Sequence, residues 1–73
     1  MSAFVDTAVA LAEGATVRVA DQEGRFGTVL SLTDGDLATR TLGEALVQWD
    51  RGNVTGYRCD RFDARLRVVR VIR

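Results

Sequence analysis

From Gly14 onward the chain alternates between apolar and polar positions. Val17 and Val19 flank Arg18, the period-two signature of a half-buried strand, which predicts a strand over Thr16–Val19 with both valines inward. Asp21-Gln22-Glu23-Gly24-Arg25 is uniformly polar and reads as a turn. Phe26–Leu32 then reads as a second strand, with Gly27 at a bend or a close approach of backbones. Residues 33–44 are polar and punctuated by glycine. They predict a long loop of the kind that often carries function, with a short helical turn over Thr39–Ala45 as one way of ordering it.

Ala45–Trp49 is the third predicted strand. It runs into Asp50-Arg51-Gly52-Asn53, a hairpin signal in which Gly52 can take positive φ at little cost. Val54–Arg58 is the return strand. Asp60–Arg65 is a polar connector or a single 3₁₀ turn anchored by Phe62, and the β-branched run Leu66–Ile72 closes the chain with Arg67 and Arg70 toward solvent. Before Gly14 the pattern blurs. Ser2 as N-cap, with Phe4, Ala8, Leu11 and Ala12 at near-helical spacing, predicts a short helix over 2–12. Val5 and Val9 interrupt that stripe, and an arm lying on the rest of the chain is the alternative.

Short strands with closely spaced glycines predict an all-β barrel or sandwich. A barrel suits a chain of 73 residues, because closure removes sheet edges that so few residues cannot cover. The expected organisation is an N-terminal arm or short helix (1–13) followed by one β domain (14–73).

Three segments carry a family pattern: Gly14-x-x-Val17-x-Val19, Gly24-x-x-Gly27-Thr28-Val29 and Val47-Gln48-Trp49-Asp50-x-Gly52, followed by Tyr57-Arg58 and Phe62-Asp63. Residues 14–69 thereby resemble the SH3-like barrel of mind-bomb-type (MIB/HERC) ubiquitin ligases and of many small bacterial proteins. The resemblance implies a five-stranded SH3-like barrel. It also implies a protein-interaction module, since in those relatives such barrels bind peptide segments of partner proteins. The chain lacks their longer, tryptophan-containing first loop. Its first half also resembles the KOW-type barrels of ribosomal and transcription proteins, which implies nucleic-acid binding as the alternative.

Composition narrows the chemistry. There is no histidine and no lysine, so neither a Ser–His–Asp or Cys–His arrangement nor a P-loop can be assembled. The expectation is a non-enzymatic binding module without cofactor or metal. Asp34-Gly35-Asp36 superficially resembles a calcium loop, but that spacing then requires glycine at position 39 and an acid at 45, where Thr39 and Ala45 stand. Gly24-Arg25-Phe26-Gly27 matches a KH-type GxxG, yet it leads into a strand and reads better as a turn. Cys59, the single cysteine, cannot form a disulfide within the chain and fits a reducing, cytoplasmic setting. It reads as a small, partly buried apolar residue rather than a reactive thiol. The apolar stretch Ala8–Ala12 is too short to span a membrane.

All ten basic residues are arginine, which together with abundant Ala, Val, Gly and Asp indicates GC-rich coding, as in a bacterium or phage. Formal net charge is zero but unevenly placed. Residues 1–36 hold six acids (Asp6, Glu13, Asp21, Glu23, Asp34, Asp36) against Arg18 and Arg25, a balance of −4. Residues 37–73 hold eight arginines against Glu44, Asp50, Asp60 and Asp63, a balance of +4. Such asymmetry marks either a polyanion site or two sides of one barrel attracting each other. Trp49 reads as a core anchor. Tyr57 has the opposite strand parity from Val54, so one of the two faces outward. The candidate binding residues are Tyr57, Arg58, Arg61, Arg65 and Arg67. A protein partner is the first expectation, nucleic acid the second, and self-association through Leu66–Ile72 and the N-terminal segment the third.

Overall fold

The computed structural model describes residues 2–36, 38 and 43–73. Along the chain run α1 (Ala3–Ala12), β1 (Thr16–Asp21), β2 (Phe26–Thr33), β3 (Glu44–Trp49), β4 (Val54–Arg58), α2 (Cys59–Arg65) and β5 (Leu66–Ile72). The strands form one antiparallel sheet in the order β4-β3-β2-β1-β5.

Register follows the valine alternation. Val17 pairs with Val71, Val19 with Val68 and Gly27, and Val29 with Val47, so each buried position meets a neighbour on the same face. Val17, Val19, Ala45 and Val47 are fully buried on that face, and Trp49 joins them. The register shifts twice, at Leu30 in β2 and at Val69 in β5, and each extra residue is exposed. Such bulges increase local twist and curl the sheet. The sheet is nevertheless not closed: β4 and β5 each pair with one strand only.

Helices cover the concave face. The segment expected as a connector or 3₁₀ turn is a seven-residue α-helix, α2, which crosses from the end of β4 to the start of β5. Its Phe62 is fully buried and meets Phe4 of α1 edge to face, with ring centroids 5.7 Å apart. The N-terminal segment is therefore a helix sharing the common core.

Ser2 caps α1 as its position predicts, accepting the Val5 N–H. The buried stripe is Phe4, Thr7 and Ala10, with Ala3 and Leu11 packed beside it. Thr7 thus occupies the face expected of Ala8, because the helix meets the sheet through a three-residue step from Phe4. The helix ends in a Schellman motif. The Ala15 N–H donates to the Ala10 carbonyl and the Gly14 N–H to that of Leu11, with Gly14 left-handed at φ +83°.

One turn differs from expectation. The positive-φ glycines are Gly14 and Gly24, and Gly52 is not among them. Four residues, Asp50–Asn53, separate β3 from β4, and a loop of that length does not require the left-handed residues of a two-residue hairpin. Instead the Gln48 side-chain amide ties it, donating to the carbonyls of Trp49 and Gly52. No helix among the described residues is long and apolar enough to cross a membrane.

Candidate functional site

The β1–β2 turn is held by one carboxylate. Asp21 accepts the backbone N–H groups of Glu23 and Arg25 at 3.0 and 2.9 Å, and its second oxygen accepts Nε of Arg25 at 2.7 Å. Burial pushes the Asp21 carboxyl up, but those bonds outweigh it and hold the group below the usual carboxylate range. Gly24, at φ +83°, lets the chain reverse within these bonds.

The geometry aims Arg25. Its guanidinium lies 4.7 Å from the ring centroid of Trp49, a cation–π contact. Register explains the meeting, since Gly27 pairs with Trp49 and its missing side chain leaves room for the indole. A Cβ at Gly27 would stand 3.0 Å from the Trp49 ring and 2.8 Å from the Gln48 carbonyl. The indole N–H donates to the Thr55 hydroxyl at 2.9 Å, and Tyr57 abuts the ring edge to face at 6.3 Å. Behind the turn, Arg18 forms a bidentate pair with Asp50 at 2.6 Å and also reaches Thr28, which links β1 to the β3–β4 loop across β2. Bonding to Arg18 holds the Asp50 carboxyl low.

Three cavities adjoin this turn. One of about 390 Å³ lies between it and the α2–β5 junction, where Arg65, Leu66 and Arg67 form the far wall. A second, of about 380 Å³, is walled by Arg25, Phe26, Trp49, Asp50 and Arg51. A third, of about 100 Å³, lies between Glu23, Arg25, Tyr57 and Arg65. They share walls: the first two meet at Gly24, the first and third at Asp21, Gln22 and Arg65, and the second and third at Arg25. The three hollows thus adjoin one another around the turn and together form its groove.

The predicted site residues divide. Tyr57 is half-buried and turned toward Trp49, lining the small cavity, whereas Val54 is the outward residue of β4. Arg65 and Arg67 line the groove. Arg58 lies at the far end of β4 opposite Glu44, and Arg61 is exposed on α2; neither lines the groove. The groove residues that the alternation did not single out are Asp21, Arg25 and Phe26. Their signal was the turn segment together with the Gly27–Trp49 pairing, which needs the strand register to become visible.

Two ion pairs among the described residues join the halves, but only Glu13–Arg73 sets an acid of the first against an arginine of the second as expected; in Arg18–Asp50 the charges are reversed. Arg58, Arg61, Arg65, Arg67 and Arg70 have no carboxylate within 4.0 Å among those residues. Asp63, the acid nearest Arg65 and Arg67 in sequence, instead accepts the Phe4 N–H and the Ser2 hydroxyl at 2.8 Å each. Cys59 is half-buried and packs on the core.

The middle of the predicted long loop, positions 37 and 39–42, lies outside the described residues, as does most of the helical turn expected over 39–45. Glu44 and Ala45 belong to β3. The Thr33–Glu44 pair puts the loop at the opposite end of the sheet from Gly27–Trp49 and the groove. Asp34 and Asp36 are exposed, and no metal-holding group of three His, Cys, Asp or Glu side chains occurs among the described residues. Comparison of the chain with family models, with curated proteins and with solved structures gives no match.

Proposed function

We propose that this chain is a non-enzymatic protein-interaction module on an SH3-like barrel, and that it holds an extended segment of a partner protein in the groove around the β1–β2 turn. The observation that carries this reading is the set of adjoining hollows around that turn, with apolar lining at Phe26 and Trp49 and charged lining at Arg65 and Arg67. Concave sites that mix apolar lining with a few fixed polar groups suit ligand binding. The strand order supports the barrel: rolling a sheet ordered β4-β3-β2-β1-β5 brings β4 toward β5, and α2 occupies that seam. The resemblance to mind-bomb-type barrels points the same way. The lack of histidine and lysine supports a role without catalysis, and the single cysteine fits a cytoplasmic location.

Affinity capture with the full chain tests this, using Phe26→Ala and a version with residues 35–42 replaced by a short glycine–serine link. Proteins retained by the wild type and by the loop replacement, but lost with Phe26→Ala, are the expected result. Retention unaffected by Phe26→Ala refutes the groove.

The unpaired arginines on α2 and β5 favour a second reading, nucleic-acid binding. It requires retardation of single-stranded RNA or duplex DNA that weakens steeply with added salt. No retardation at low salt eliminates it.

A further inference from the structure

We infer that the occupant of the groove is an acidic–apolar peptide segment, with an Asp or Glu carboxylate held by Arg65 and Arg67 and an apolar side chain about three residues away seated against Phe26. The inference rests on the interaction-module reading and names the chemistry of its partner.

Charge accounting along the groove identifies the acidic half. Its acids already have partners: Asp21 is bonded to Arg25, Glu23 lies 3.9 Å from the same guanidinium, and Asp50 is in its bidentate pair with Arg18. Arg25 is itself consumed by Asp21 and by the face of Trp49. Arg65 and Arg67, on the facing wall, have no carboxylate within 4.0 Å among the described residues. A carboxylate from outside the chain completes this set.

Register gives the spacing. Ala20 pairs with Arg67 on one side and with Phe26 on the other, so Arg67 and Phe26 are two strand spacings apart, about 10 Å. An extended peptide rises about 3.3 Å per residue and covers that span in about three residues. Ala20 contributes only a methyl group between them, and Gly24 contributes none at the wall shared by the two large cavities. Phe26 is 45% exposed and offers the apolar seat.

A polyanion fits less well. The chain carries no net charge, and Trp49 and Tyr57 present no free face for base stacking, since Trp49 is 4% exposed and Tyr57 packs against its edge.

Panning a library of short random peptides against the full chain tests this, with affinities read from the fluorescence of Trp49, the only tryptophan. Enriched peptides are expected to carry Asp or Glu about three residues from Phe, Leu, Ile or Trp. Arg65→Gln combined with Arg67→Gln weakens them about tenfold or more, while Arg70→Gln leaves them unchanged, since Arg70 does not line the groove. Circular dichroism verifies that each variant is folded. Enriched peptides without acids, or equal weakening by Arg70→Gln, overturn the acidic–apolar inference and leave the interaction module standing. No enriched peptide overturns both. So does retardation of a short single-stranded oligonucleotide at about 0.15 M salt, since it transfers the arginines to nucleic acid.

Discussion

Gly14 and Gly27 are fixed by different physics. A Cβ at Gly14 meets nothing within 4 Å, so the constraint there is its φ of +83° alone. At Gly27 the constraint is space, because a Cβ would press on the backbone of β3 and on the Trp49 ring. Gly14→Ala should cost about 1–2 kcal/mol through the left-handed backbone. Gly27→Ala should cost about 1–3 kcal/mol through overpacking. The two separate by spectroscopy: urea unfolding reports both losses, but the emission of Trp49 shifts in folded Gly27→Ala and not in Gly14→Ala. An unshifted Trp49 in Gly27→Ala contradicts the close approach. Legibility differs at this scale too. Gly27 is readable as a close approach because it interrupts an apolar strand, whereas Gly52 misleads because hairpin chemistry depends on loop length and side-chain ties such as Gln48.

The smaller elements are secured by single carboxylates. Asp63 on α2 takes the Phe4 N–H in the first turn of α1 and the hydroxyl of its N-cap, joining two helices that are far apart in sequence. Asp63→Ala should therefore destabilise by about 0.5–2 kcal/mol, the range of a lost cap, and raise amide exchange first in α1. Uniform exchange across the chain would count against that coupling. The β1–β2 turn and the β3–β4 loop depend likewise on Asp21 and Asp50, whose carboxyls are held below the ordinary value of about 3.9. In that range the unfolded chain binds more protons than the folded one. Their contribution is accordingly intact above about pH 4 and lost as pH falls through the depressed folded-state values. Asp21→Asn or Asp50→Asn should flatten the acid side of the stability curve measured by urea unfolding. An acid slope unchanged in both variants contradicts the assignment. Helix α2 is the element the polar pattern obscured, since Asp60, Arg61, Asp63 and Arg65 surround the single buried anchor Phe62.

At the scale of the molecule, the strands were legible because apolar alternation around Val17, Val19, Val47 and Trp49 survives the bulges at Leu30 and Val69. The groove was not, because it joins residues as distant in sequence as Asp21, Trp49 and Arg65. Only the register of β1 against β5, with Asp21 opposite Leu66, and of β2 against β3 brings them together. Among the described residues the same assembly leaves basic side chains of α2 and β5 without a carboxylate within 4.0 Å while the acids of the turn are paired, an imbalance that net charge conceals. The most direct test of a recognition groove at this end of the sheet is amide NMR shift mapping during titration with an enriched acidic–apolar peptide. Shifts concentrated at Asp21–Arg25, Trp49–Arg51 and Ala64–Arg67, with the indole N–H of Trp49 among them, are predicted. Shifts confined to residues 34–43 or to the outer face of α1 at Val5 and Val9 would contradict it.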